Sequence, residues 1–283
     1  MVSRLDAWLE RYEWPVAVFL LLLFFARAIV FSRVTLMSPD ELLTYVQARL
    51  ATPQAVLVAL RQTPTALDPP LYPLLSWLAL HLPFSVPLSL RIPSFIAYAA
   101  FMLSLFILVR RLASPSLGLV AMILAALLPA ADCAIVARPY ALVLACAGWA
   151  LVFWQHAAQQ LRRLLFLVLL GLTLACAISA QYLAPLLLAP FVAAELWRGL
   201  RSRFDPGIWF ALALATTAML LYLPFLPAAA LYKENPWHGV MLEDLRSFGQ
   251  SPSPGPERMR TGRPWRLVPD SGARVHGSEI SDS

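Results

Sequence analysis

Charge is what this chain has least of. Only 13% of its 283 residues are charged, against roughly 25% in soluble domains, and 60% are hydrophobic. That excludes a single soluble core. Lysine is nearly missing: among 22 basic residues, Lys233 is the one lysine and all others are arginine. The formal charge of +6 therefore does not imply nucleic acid, because arginines at helix ends serve orientation in a membrane. Cysteine is scarce, with 3 residues. Cys133, Cys146 and Cys176 lie scattered in apolar stretches without metal-ligand spacing and read as small buried hydrophobes. The 11 glycines form no phosphate-binding loop. Nucleotide fingerprints, HExxH, GxSxG and nucleic-acid modules are all absent.

What is present is a series of apolar runs approaching the roughly 20 residues that cross a bilayer. The fold class expected is all-α: a polytopic transmembrane helical bundle with spans near 15–32, 92–109, 117–131, 139–154, 164–180, 183–197 and 208–225. This makes about seven spans. Arg110-Arg111, Arg162-Arg163 and Arg198/Arg201/Arg203 then mark successive inner loops, joined by Arg4 and Arg11. That is a positive-inside pattern with a cytoplasmic amino terminus. The inner loops are too short to hold a nucleotide-using domain. Asp6, Glu10 and Glu13 offset Arg4 and Arg11, so the opening segment reads as a retained anchor rather than a cleaved signal peptide.

Residues 33–91 form one large amphipathic outer loop in this reading. Leu71 to Phe84 is apolar but short, broken by Pro73, His81 and Pro83, and reads as an interfacial or re-entrant helix. Leu43, Val46 and Leu50 recur at helical spacing, so 40–50 is expected to be an amphipathic helix on the membrane surface. Three segments result: 1–14 cytoplasmic, 15–247 membrane domain, and 248–283 a tail rich in Gly, Ser, Pro and Arg. That tail cannot bury a core and is expected to be disordered. It reads equally as a shifted reading frame joined to a truncated membrane protein.

The outer loop collects the chemistry. Ser38-Pro39-Asp40-Glu41 forms a capping box with proline at the first helical position, and a capped helix is a rigid mount for a catalytic carboxylate. Arg91 and Arg138 open later spans at the same face. Either they snorkel or pair with Asp68 or Asp132, or they clamp a lipid-linked phosphate through guanidinium donors. Arg27, near the outer end of the first span, has the same two readings. Asp68-Pro69-Pro70 reads as a rigid turn that fixes the start of the next helix. Tyr72, Trp77 and His81 come after it, and Tyr140 and Tyr182 face the same side. Aromatics there form an interface belt or a sugar-stacking platform. His81 lacks a partner at metal spacing. Glu195 pairs with Arg198 on its own helix. No cofactor is expected, and two adjacent carboxylates offer at most a weak divalent-metal site.

Four motifs carry a resemblance: Asp40-Glu41 with Tyr45, Pro69-Pro70-Leu71-Tyr72, Leu90-Arg91-Ile92-Pro93-Ser94, and Ala137-Arg138-Pro139-Tyr140-Ala141. In this order, across roughly residues 35–190, the chain resembles the amino-terminal half of bacterial membrane glycosyltransferases of the C fold. It is most similar to the dolichyl-phosphate-mannose protein mannosyltransferase and aminoarabinose transferase group, with its RgtA/B/C/D-like domain. Two positions depart from the family pattern. Asp68 stands where histidine or lysine is common, and Ala134-Ile135-Val136 where an acidic residue is frequent. The resemblance implies transfer of a hexosyl or pentosyl sugar from a polyprenyl-phosphate donor to a glycan, lipid or protein acceptor, at the outer face of a bacterial inner membrane. It also implies Asp40, with Glu41 beside it, as the catalytic candidate. Asp68, Tyr72, Arg91, Arg138, Tyr140 and Tyr182 are the expected substrate-binding residues. A single displacement, with Asp40 as base, would invert the anomeric centre. Two other readings stand beside this one: half of a transporter or flippase, and an inactive truncated remnant. A transporter predicts ionisable residues near mid-membrane, whereas here they gather at the ends of spans.

Overall fold

The computed structural model describes residues 2–62, 68–159, 162–201, 204–225 and 227. The segment expected to be a disordered tail, 248–283, lies outside the described residues. The chain divides into two units, Met1–Glu234 and Asn235–Ser283, and every helix described belongs to the first.

Among the described residues every regular element is helical. The long helix α1 (Val2–Val34) is followed by three short ones: α2 (Pro39–Ala48), α3 (Pro53–Gln62) and α4 (Leu71–Ala79). Then come α5 (Val86–Leu112), α6 (Pro115–Leu127), a 3-10 turn and α7 (Asp132–Ile135), α8 (Tyr140–Ala158) and α9 (Arg163–Ala180). A second 3-10 turn (Ala184–Leu187), α10 (Leu188–Arg201), α11 (Pro206–Thr216) and a closing 3-10 stretch (Thr217–Phe225) complete the series.

Five helical segments are long and apolar enough to cross a membrane: Arg11–Val34, Val86–Leu112, Tyr140–Ala158, Arg163–Ala180 and Pro206–Phe225. A sixth counts if α6 and the segment Pro129–Ile135, bent by 67°, form one broken span. The protein is thus a multi-pass helical membrane protein. The expected crossing at 183–197 is not among the five or six, because its helix has only 14 residues after the 3-10 turn. The chain nevertheless travels end to end there. Arg163, which opens α9, pairs with Asp205 at the cap of α11. Tyr222, in the 3-10 stretch that continues α11, donates to the carbonyls of Ile178 and Gln181, where α9 stops. Helices α9 and α11 therefore run parallel, and the intervening segment must return between their ends.

The break after α6 has an identifiable cause. Pro129 has no N–H, so the carbonyl of Ala125 loses its helical donor. The Tyr98 hydroxyl replaces it at 2.7 Å, and Arg27 Nη1 donates to the next carbonyl, that of Ala126. Arg27 thus ties α1 to α6. Phe24 stacks on Tyr98 at 5.5 Å, and Met102, Phe106 and Met122 fill the same core. A second core of Leu170, Leu174, Phe191, Ile208 and Leu212 joins α9, α10 and α11. Helices α5 and α8 approach so closely at Gly148 that a Cβ there would collide with Ser104 Oγ. Small residues permit such backbone approach within a membrane.

Helix α4 spans only nine residues, too few to cross, as an interfacial segment requires. Helix α2 is amphipathic, but its buried face is the polar one: Glu41, Thr44 and Gln47, with Ala48. Leu43 and Val46 lie on the opposite side, only partly buried. Polar side chains turn inward and apolar ones outward, the arrangement that suits a lipid-facing helix.

Candidate active site

The motifs between residues 38 and 94 converge on the segment linking α7 to α8. The capping box of α2 forms as its sequence predicts. Ser38 N–H donates to Glu41 Oε2 at 2.9 Å, and Glu41 N–H to Ser38 Oγ at 3.3 Å. Helical geometry then sends the adjacent carboxylates about 100° apart. Glu41 points into the protein and is 1% exposed, whereas the side chain of Asp40 is 60% exposed.

Glu41 is held by Arg91 of α5 as a fork, Nε to Oε1 at 2.7 Å and Nη2 to Oε2 at 2.8 Å. The Ala137 N–H adds a third donor at 2.9 Å. Burial raises the Glu41 pKa, but Arg91 and the N–H groups of Ser38 and Ala137 outweigh it and hold the carboxyl below its ordinary 4.5. Arg91 spends its remaining donors on the end of α1. Nη1 reaches the carbonyl of Ser32 at 3.1 Å and both oxygens of Thr35 at 3.4 Å, and Nη2 reaches the Leu36 carbonyl at 3.2 Å. This buried guanidinium joins α1, α2 and α5, and it has no donor left for a phosphate.

Arg138 makes the other arrangement. Its Nη1 donates to Asp68 Oδ2 at 2.9 Å, and its Nη2 to Asp40 Oδ2 at 3.2 Å. Its Nε is buried without a partner among the described residues. Asp68 is 8% exposed. Burial pushes its carboxyl above the ordinary 3.8, Arg138 draws it down, and the neighbouring charge of Asp40 pushes it up again. The backbone of Arg138 is anchored as well. Ser94 Oγ donates to its carbonyl at 3.2 Å, and the buried Tyr72 hydroxyl lies 2.7 Å from Ser94 Oγ. Thr44 Oγ1 donates to the Ala137 carbonyl at 3.3 Å, so one face of α2 holds both backbone polar groups of Ala137.

Asp40, Glu41, Asp68, Tyr72, Arg91 and Arg138 thus form one connected network, and Asp132 plays no part in pairing Arg138. Tyr182 lies close enough for Asp68 to act on it. Burial first, then the Asp68 charge, raises its phenol pKa, and its ring packs against Tyr222 at 4.8 Å. Tyr140 opens α8 with 44% exposure and is not joined to the network. The His81 ring packs against Trp77 and meets the Trp77 carbonyl at 2.9 Å, a structural role. Sequence reasoning missed Ser94, Thr44 and the Ala137 N–H. Ser94 stands inside one of the four motifs, but nothing local shows that Tyr72 will meet it. Among the described residues no three His, Cys, Asp or Glu side chains gather as a metal site.

Comparison with curated proteins finds no match, and comparison with solved structures finds none either. A family model does match: dolichyl-phosphate-mannose-protein mannosyltransferase, over residues 68–227. The match begins at Asp68 and takes in Tyr72, Arg91, Arg138, Tyr140 and Tyr182, covering more than half of the chain. The protein therefore belongs to this family of membrane glycosyltransferases, whose sugar donors are carried on polyprenyl phosphate.

Proposed function

We propose that this protein moves a sugar from polyprenyl phosphate to an acceptor at the extracytoplasmic face of a bacterial inner membrane, by one inverting displacement. The observation that carries this reading is the exposed carboxylate of Asp40, mounted on a capped and docked helix and facing Arg138. Asp40 accepts the proton of the acceptor hydroxyl or amine as that atom attacks the anomeric carbon. The bond from carbon to phosphate oxygen breaks, and polyprenyl phosphate leaves with the electron pair. Arg138 is the cation placed to meet the growing phosphate charge, because unlike Arg91 it is not closed off by a full set of partners. Glu41 acts through the backbone: with Arg91 it fixes the helix that presents Asp40. Tyr140 and Tyr182 flank the network as surfaces on which a sugar can stack. The ionisable groups of the network lie at the ends of spans, which disfavours a transport path through mid-membrane.

The test uses membranes containing the full chain and a panel of polyprenyl-phosphate sugars, with transferred label and product anomeric configuration as readouts. Asp40→Asn should reduce transfer about 10²- to 10⁴-fold while membrane insertion stays intact. Unchanged turnover removes Asp40 from the mechanism, and a retained anomeric configuration excludes the single displacement. Asp40→Cys should react with an impermeant thiol reagent in intact cells, and Arg110→Cys should not. The reverse pattern overturns the assigned face.

A further inference from the structure

We propose a second binding site, at the arginine-rich end of the bundle, for the phosphate headgroup of an anionic glycerophospholipid. The site is independent of the transfer reaction. An open depression of about 390 Å³ lies there, lined by Arg111 and Leu112 at the end of α5, Trp154, Gln155 and Gln159 at the end of α8, and Arg198 of α10. Arg91 and Arg111 stand twenty residues apart on one helix, about 30 Å at helical rise. The depression and the Asp40 network therefore sit at opposite ends of the bundle.

Its electrostatics favour an anion. Arg111 donates to the neutral Gln159 Oε1 at 2.6 Å, and among the described residues no carboxylate forms an ion pair with it. Arg198 is held in place by Glu195 at 2.7 Å, with Asp205 at 4.0 Å. The same Glu195 oxygen accepts from Trp154 Nε1 at 2.6 Å, so one buried carboxylate pins two walls of the depression. The second oxygen of Glu195 is buried without a partner among the described residues. The result is two guanidiniums on one depression, Arg111 without a carboxylate partner among the described residues, with the neutral side chains of Gln155 and Gln159 in the same lining. Guanidinium forks match phosphate oxygens.

The rim favours a lipid over free phosphate. Leu112, beside Arg111 in the lining, is 68% exposed, and Trp154 and Ala158 complete the apolar part of that lining. Apolar surface therefore adjoins the charged floor, as a headgroup with acyl chains attached requires. Arginines 110, 111, 162, 163, 198 and 201 gather at this end, which the positive-inside rule assigns to the cytosol. Basic pockets between spans on that side accept acidic headgroups.

The full chain in neutral detergent provides the test. Its thermal midpoint is measured with phosphatidylglycerol, phosphatidylcholine or inorganic phosphate, and bound lipid is counted by native mass spectrometry. Phosphatidylglycerol should raise the midpoint and stay bound in preference to phosphatidylcholine, while inorganic phosphate does nothing. Arg111→Gln should weaken that retention about fivefold, the effect of one surface arginine on an acidic headgroup, and Arg111→Lys should largely preserve it. Gln155→Glu places an anion in the wall without touching the Arg111–Gln159 bond and should weaken retention similarly. Equal retention of the two lipids overturns the proposal, and this comparison needs no variant. So does wild-type retention in folded Arg111→Gln and Gln155→Glu. A midpoint shift with inorganic phosphate as large as that with phosphatidylglycerol overturns the lipid as ligand.

Discussion

Arg91 and Arg138 stand at the same end of the bundle, each facing a carboxylate of α2, yet they are built as opposites. Arg91 and Glu41 are both about 2% exposed at the side chain, and all the donors of Arg91 are taken. Arg138 bridges one buried and one exposed carboxylate, and keeps a donor without a partner among the described residues. A closed pair fixes geometry, because any change in it strands a buried charge. An open pair can exchange one partner for a ligand. Two residues adjacent in sequence, Asp40 and Glu41, belong to different pairs only because the helix turns between them.

The sharpest test of that contrast is Arg91→Ala. Glu41 would remain buried with N–H donors alone, and the carbonyls of Ser32 and Leu36 at the end of α1 would lose theirs. Breaking a buried pair from one side costs about 3–5 kcal/mol, so poor recovery and rapid proteolysis between α1 and α5 are expected. Replacing Glu41 and Arg91 together with methionine should recover part of the loss, because no charge is then stranded. Melting curves in detergent for the single and double variants measure this. A mild effect of Arg91→Ala would mean the pair is not closed.

Arg138→Gln comes next and should divide differently. Asp40 reaches water and loses little. Asp68 is buried, but it can take up a proton once its cation is gone. A stability loss of about 1–3 kcal/mol is expected, smaller than for Arg91→Ala, alongside a loss of transfer activity out of proportion to it. If Arg138→Gln destabilises as much as Arg91→Ala with activity spared, the two arginines are equivalent props.

How much of this arrangement was legible in the sequence depends on the range of each interaction. The capping box at Ser38 and the Glu195–Arg198 pair are three residues long, and both were legible. The match of Asp68 to Arg138 was legible as one of two options, since Asp132 lay nearer in sequence. The fate of Arg91 was not. Its partner is 50 residues away, and an arginine at the mouth of a span looks the same whether it snorkels, binds phosphate or closes a buried fork. The inward polar face of α2 was also hidden, because an apolar stripe at 43, 46 and 50 fixes a periodicity without saying which side is protein. The helix within the expected crossing at 183–197 is only 14 residues long, and only the parallel course of α9 and α11 shows why the chain must return there.

Acid distinguishes the two carboxylates by sign. Glu41 is held below its ordinary 4.5, so its contribution to stability is present above that value and is lost as pH falls through its lowered pKa. Asp68 is raised above 3.8, so the folded state keeps its proton more firmly than the unfolded chain. Its contribution is full below 3.8 and is lost as pH rises through the raised value. Thermal midpoints across the acid range should therefore lose their fall at the low end in Glu41→Gln, and their decline at the upper end in Asp68→Asn. The same pH profile in both variants would erase the distinction between them.

The smallest effect expected is that of Tyr72→Phe. The hydroxyl is buried against Ser94 Oγ, and removing it deletes one neutral hydrogen bond, about 1 kcal/mol. Ser94 keeps its own bond to the Arg138 carbonyl, so the open pair should shift slightly while the closed pair stays as it was. A double-mutant cycle of Tyr72→Phe with Ser94→Ala should show coupling, because the two share that chain of bonds. The cycle of Tyr72→Phe with Glu41→Gln should show little. Strong coupling to Glu41 instead would mean that the two arginine networks respond as one unit, and that Asp40 is positioned by the whole loop rather than by the α2 cap and its fork to Arg91.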